Sequence, residues 1–200
     1  MKHESKGSRR ALVIAILAVA AIGIGFLADF IITCFEKHAY PREYAEYVEA
    51  YAEQYGVPET LVFAIIRTES SFDSGAVSSA GAVGLMQILP DTFEWLTNEI
   101  LFDHLESGML YDPETNIKYG TYLLSRYYDR YGDWKLVFAA YNGGPGNLDK
   151  WLEDPEYADG EGGLKKIPFR ETRNYVRKVT DAWDTYERLY GEEYQAETVQ

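Results

Sequence analysis

Cysteine, histidine and positive charge are all scarce in this 200-residue chain, and each scarcity excludes something. The single cysteine, Cys34, permits no internal disulfide and no Cys-rich metal site. Three histidines, His3, His38 and His104, are too few and too scattered for a His-based metal cluster. No metal and no other cofactor is therefore expected, and any catalysis falls to carboxylates. Lys and Arg number 19 against 32 Asp and Glu, a formal charge of −13. A duplex-binding protein carries the opposite sign, which argues against nucleic acid as a partner. Period-two alternation is also missing, as is any internal repeat. What the chain does have is apolar material, 46% hydrophobic and 15% aromatic, enough for a core and too much for a disordered chain or a collagen-like fibre.

The charge is unevenly spread. Lys2, Lys6, Arg9 and Arg10 against Glu4 give residues 1–10 a local +3, which leaves −16 on the other 190. Next comes ALVIAILAVAAIGIGFLA, residues 11–28, without one charge. As a helix this run measures roughly 27 Å, close to the hydrocarbon thickness of a bilayer. Basic residues before it and Asp29 after it predict a cytoplasmic N-terminus and a body outside the cytoplasm. The run exceeds the apolar region of a cleaved signal peptide, and no clean small-x-small site follows, so it reads as an uncleaved anchor. The expected organisation is a basic cytoplasmic tail over 1–10, a transmembrane anchor over 11–33, a linker over 34–42, one domain over 43–190 and a tail over 191–200.

That domain reads as mostly α. Tyr44, Tyr47, Val48, Tyr51 and Tyr55 recur at three- and four-residue spacing until Gly56. Pro58 suits a first helical turn before Leu61, Val62, Ile65 and Ile66. Asp112-Pro113 pairs an N-cap with a residue whose missing N–H costs nothing, and Ile117, Leu124, Tyr127, Tyr128 and Tyr131 follow as a stripe. Asp133 can cap a short helix, and a last one from about Glu171 carries Val176, Val179, Trp183, Tyr186 and Leu189. A small hairpin near 75–85 is the one piece of β structure the pattern allows. The acidic, Gly-rich DPEYADGEGG, residues 154–163, is a solvated loop.

Three clusters resist a purely structural explanation when taken together. In the first, Glu69 and Ser70 end a helix whose apolar face is Ile65 and Ile66, so the carboxylate emerges beside a hydrophobic wall. Burial raises a carboxyl pKa and keeps it protonated, as a general acid requires. A Ser-rich loop punctuated by Gly75, Gly81 and Gly84 follows, then Leu85, Met86 and Gln87 at an expected helix start. The second cluster is AAYNGGPGNL, in which Tyr141 and Asn142 end a helix ahead of a sharp glycine turn; a Gly-terminated helix explains it equally well alone. The third is PFRETRNYV, with Arg170, Arg173 and Arg177 on one side of a helix and Tyr175 and Val176 on another. By itself it is also a core tyrosine with a basic solvated face.

In order, E-S, G-L-M-Q, A-Y-N and E-T-R-x-Y-V resemble the catalytic domain of the soluble lytic transglycosylases, lysozyme-like proteins of the glycoside hydrolase family 23 type. The resemblance covers roughly residues 44–190. It implies a mostly α, lysozyme-like domain behind the transmembrane helix and a peptidoglycan glycan strand as substrate. It further implies cleavage of the β-1,4 bond between N-acetylmuramic acid and N-acetylglucosamine, leaving 1,6-anhydro ends. By the same resemblance Glu69 is the sole acid/base and Tyr175 supports it. Ser70, Gly84, Leu85, Met86, Gln87, Ala140, Tyr141 and Asn142 contact the sugars or shape the groove. Two other readings stand beside this one. A hydrolytic muramidase would use the same Glu69 with a water held by Asp73, Asp91 or Glu94. A non-catalytic module would merely dock a partner on peptidoglycan. The loop over 152–168 is the expected determinant of endo or exo action.

Overall fold

The computed structural model describes the backbone of residues 6–100 and 102–197, with side chains over 10, 12–98 and 102–191. It divides into two units, Met1–Pro41 and Arg42–Gln200. Residues 1–5 of the expected basic tail and 198–200 of the expected C-terminal tail lie outside the described residues.

The first unit is a single helix, α1 (Lys6–Ala39). Its stretch Leu12–Ala39 contains an 18-residue window of mean hydropathy 2.5 and is long and apolar enough to cross a membrane. The helix outruns the anchor expected over 11–33 and takes in most of the expected linker. Nothing in Thr33–Ala39 breaks a helix; the first breaker is Pro41, which disfavours helical backbone in the residue before it.

The second unit contains α2 (Ala45–Tyr55), α3 (Glu59–Glu69), α4 (Pro90–Trp95), α5 (Pro113–Tyr131), α6 (Trp134–Gly143), α7 (Pro145–Glu153) and α8 (Arg170–Glu197). A π-helical turn, Leu96–Ile100, extends α4, and a 3-10 turn, Ser107–Tyr111, precedes α5. The caps are those the sequence predicts. Asp112 accepts from the Thr115 amide at 2.9 Å, and Asp133 accepts from the Lys135 and Leu136 amides at 2.7 and 3.1 Å. α8 runs on through the tail expected from 191, because no glycine turn or proline intervenes.

Helix α3 is the axis of the core: every residue from Thr60 to Ile66 is buried. α8 packs along it with Val176, Val179, Ala182, Tyr186 and Leu189, and the Tyr186 ring stacks on Phe63 at 5.7 Å. The polar exception is satisfied locally: the Thr60 hydroxyl donates to Glu187, and the Trp183 indole donates to Thr60 at 3.1 Å. α2 packs on α3 and α5, α5 on α6, and α6 on α8. Among the described residues all buried hydrophobic side chains lie between Val48 and Tyr190, so this unit contains a core of its own and is expected to fold alone.

Between α3 and α4 the chain forms no hairpin. It makes two isolated antiparallel bridges, Val77 with Val83 and Val83 with Ile88. The reason is turn density: the chain reverses at Ser78–Gly81 and again at Gly84–Gln87, leaving too few residues between turns for a ladder.

Candidate active site

Glu69 is the last residue of α3, and the chain leaves it by an unusual route. Ser70 caps the helix, then Ser71 and Phe72 take left-handed backbone at φ 52° and 69°. Such geometry at non-glycine residues costs on the order of 1–3 kcal/mol each. Burial of the Phe72 side chain, packed on Phe63 at 6.5 Å, offsets part of that cost. The result is a carboxyl group at the end of a helix buried from Thr60 to Ile66 rather than on a loop. Glu69 itself is half-buried, and burial raises its pKa from 4.5 to about 7, against a smaller lowering by the Tyr175 phenol. It is thus a carboxylic acid that holds its proton near neutral pH.

Two tyrosines flank it. Tyr175, on the buried side of α8, is 7% exposed, and its hydroxyl stops short of a full hydrogen bond to any group among the described residues. Its electrostatic partner is the Glu69 carboxyl, and burial together with that neighbour holds the phenol well above its ordinary pKa. Tyr141, near the end of α6, is raised for the same two reasons. Its hydroxyl donates to the Met86 carbonyl at 2.8 Å. Both phenols therefore stay protonated.

The loop between Val83 and Ile88 forms the opposite wall. The sequence pattern suggests a helix start here; instead the segment is a tight turn, and α4 begins only at Pro90. Gly84 has φ +79°, and a Cβ there would overlap the Asn116 amide and the Leu110 carbonyl, so only glycine fits. Leu85 and Met86 have no exposed surface, so their side chains support the groove from beneath and present nothing to a ligand. Ala140 is equally buried but borders the cavity beside this wall. Ser70 donates its hydroxyl to the Leu85 carbonyl at 2.8 Å, which ties the end of α3 to this loop and leaves only acceptor capacity for a sugar. Gln87, at φ 50°, turns its amide back on the loop, donating to Gly84 at 2.9 Å and Ala76 at 3.1 Å.

A cavity of about 320 Å³ lies beside this wall, lined among others by Gln87, Leu123, Tyr127, Tyr141, Asn142 and Pro145. Glu69 is not in its lining; Tyr141, which faces both, joins the two. The Asn142 amide has no protein partner among the described residues and is free to meet a ligand. The carboxylates that a water-based mechanism would recruit do not converge here. Asp73 is exposed and accepts from the Gly75 amide at 2.9 Å, while Asp91 and Glu94 are exposed on α4.

One residue at the heart of this arrangement escaped the sequence patterns. Asn116 is fully buried within α5, accepts from the Met86 amide at 2.7 Å, and donates to the carbonyls of Leu110 at 2.8 Å and Val83 at 2.9 Å. Its signal was an amide sitting beside Ile117 on the apolar stripe, one turn before Gly120.

The Transglycosylase SLT domain model matches residues 46–161, more than half of the chain, and stops short of Tyr175. Among curated relatives, the soluble lytic murein transglycosylase of Escherichia coli K12 is 35% identical over 177 residues, covering 87% of this chain and 26% of that protein. The membrane-bound lytic murein transglycosylase C of Pectobacterium atrosepticum is 33% identical over 172 residues, covering 74% and 47%. The chain thus spans about a quarter of the soluble relative and about half of the membrane-bound one. Among solved structures, the 70 kDa soluble lytic transglycosylase of Escherichia coli superposes with TM-score 0.69 at 34% identity, covering 78% of this chain and 26% of that one. A 70 kDa soluble lytic transglycosylase in complex with bulgecin A gives TM-score 0.70 at 32% identity, covering 95% and 32%. A mostly helical unit with its carboxylic acid at the end of a buried helix, and a family match over most of that unit, carry one conclusion: the chain belongs to the Transglycosylase SLT domain family.

Proposed function

We propose that this chain is a membrane-anchored peptidoglycan lytic transglycosylase that cleaves the bond between N-acetylmuramic acid and N-acetylglucosamine with Glu69 as its single acid/base. The observation that carries the reading is the raised pKa of Glu69, about 7, in a half-buried site faced by Tyr175. Protonated Glu69 gives its proton to the glycosidic oxygen as the C1–O bond breaks. The acetamido oxygen of the muramoyl residue closes on C1 in its place. Glu69, now a carboxylate, takes the proton of the C6 hydroxyl, and O6 displaces the acetamido oxygen from C1. The ring closes as a 1,6-anhydro sugar, Glu69 is again protonated, and no water is consumed. This is a substrate-assisted route with one carboxyl group where most glycosidases use two.

The exposure of Asp73, Asp91 and Glu94 supports this route over hydrolysis, since none is placed to hold a water against C1 from within the site. A Slt chain of Pseudomonas aeruginosa, TM-score 0.67 and 33% identical, was solved as an inactive variant with one glutamate replaced by glutamine, which agrees with a single essential acid. Ser70, Gln87, Tyr141 and Asn142 form the polar wall beside the sugars, Asn142 with its amide free. The anchor is α1, with Arg10 and the other basic residues inside and the body from Arg42 outside the cytoplasm.

The test is mass spectrometry of the sugars released from purified peptidoglycan by the chain in detergent, beside Glu69→Gln. Products one water lighter than reducing muropeptides, absent with Glu69→Gln, are expected. Reducing ends would replace the proposal with a hydrolytic muramidase, and equal activity in the variant would remove Glu69 from the chemistry.

A further inference from the structure

Two hydroxyls near Glu69, that of its chain neighbour Ser70 and that of Tyr141, are both anchored on one short piece of backbone. Ser70, next to Glu69 in the chain, donates to the Leu85 carbonyl at 2.8 Å. Tyr141 donates to the Met86 carbonyl at 2.8 Å. That backbone is in turn seated on one face of α5. Asn116 takes the Met86 amide at 2.7 Å and reaches the Val83 carbonyl at 2.9 Å with its own N–H, while its second N–H goes to Leu110 at 2.8 Å. One turn on, Gly120 leaves the room that the Met86 side chain occupies; a Cβ there would overlap the thioether. The fit is reciprocal, because Gly84 must lack a Cβ for Asn116 to approach.

We infer that Asn116, with Gly120 beside it, is a positioning residue for the reaction: through the loop Val83–Gln87 it sets where Ser70 and Tyr141 stand around the Glu69 carboxyl. The inference rests on Glu69 being the acid. A buried amide with its acceptor and both donors engaged has one geometry, and it transmits that geometry to the loop as two directed bonds while the third, to Leu110, holds the amide in place. No substrate contact is needed for this, since Asn116 is wholly buried. The titratable groups facing Glu69 are Tyr175 from α8 and Tyr141 from α6. A loosened loop admits water between them, and hydration favours the carboxylate.

The experiment is the pH dependence of turnover on soluble glycan strands by the full chain in detergent, with rates referred to folded protein. Asn116→Ala is expected to lower kcat by roughly 10- to 100-fold, the scale of a displacement of about 1 Å at the reacting groups, with KM changed far less. The alkaline limb of the profile should move to lower pH. Combined with Tyr141→Phe, it should cost less than the product of the two single effects, because both release the same loop. A limb that stays in place with multiplicative losses would overturn the inference, since a merely structural residue changes only the folded fraction. If Asn116→Ala does not fold, Gly120→Ala displaces the same loop through Met86 and carries the same expectation, and an unmoved limb there overturns it equally. Failure of the Glu69 reading is distinguishable: the unsubstituted chain would then be inactive, or Glu69→Gln would match it.

Discussion

Glu69→Gln should make the protein more stable, by an amount that grows from about pH 4.5 and levels off above about pH 7. In the folded chain the Glu69 carboxyl holds its proton up to a pH of about 7, against 4.5 for the ordinary group. Between those two values the unfolded chain has released the proton while the folded chain retains it. The folded state then binds more protons, and its stability falls as pH rises. Below about 4.5 a protonated Glu and a Gln are nearly equivalent, and the difference between the two proteins is close to zero. Above 7 the full penalty of a desolvated carboxylate is present. At about 1.4 kcal/mol per pKa unit it amounts to at most about 3.5 kcal/mol. A chain of this size gains roughly 2–4 °C in Tm per kcal/mol, so the variant should melt up to about 7–14 °C higher at pH 8 and at nearly the same temperature at pH 4. Thermal unfolding of the unit from Arg42, followed by circular dichroism from pH 4 to 8, reads this directly. Asp103 and Asp159, whose carboxyls are held below their ordinary pKa by hydrogen bonds, contribute alike to both proteins and cancel in the difference. A difference in Tm that is flat across this range would refute the raised pKa and with it the argument for Glu69 as a poised acid.

Tyr175→Phe removes the phenol that lowers the pKa of Glu69, so the alkaline limb of the pH–rate profile should move up, opposite to the shift expected for Asn116→Ala; turnover at the optimum should fall by tens-fold or so, the low end of what a mispositioned acid costs. An unchanged rate and profile would take Tyr175 out of the mechanism. Gly84→Ala forces a side chain onto backbone at φ +79° and into the Asn116 amide. It should lower stability by about 2–4 kcal/mol, read as the shift of the urea midpoint, with a wild-type midpoint refuting the close approach.

Much of the fold was legible because helix boundaries are written in local chemistry. Asp112 before Pro113, Asp133 before Trp134 and Gly56 after Tyr55 end or begin elements through groups within four residues of themselves. The helical face of α3 followed from Leu61, Val62, Ile65 and Ile66, and its burial put a carboxylate at a wall. The loop over 70–89 was not legible in the same way. Its course depends on Phe72 reaching Phe63, on Gln87 turning inward, and on Asn116 arriving from 30 positions down the chain. Leu85 and Met86, expected to shape the groove, have no exposed surface, and Met86 is seated against Asn116 and Gly120 of α5.

By itself the sequence determined the family and most of the helix boundaries, and it singled out Glu69 as the candidate acid and residues 11–28 as the candidate anchor, since each rests on periodicity, on charge placement or on short blocks in register. Only the tertiary structure decided which hydroxyls are spent on holding the loop, which amide is free to meet a ligand, and why Glu69 keeps its proton. Those are consequences of desolvation and of directed bonds between distant segments, and neither exists until the chain has folded.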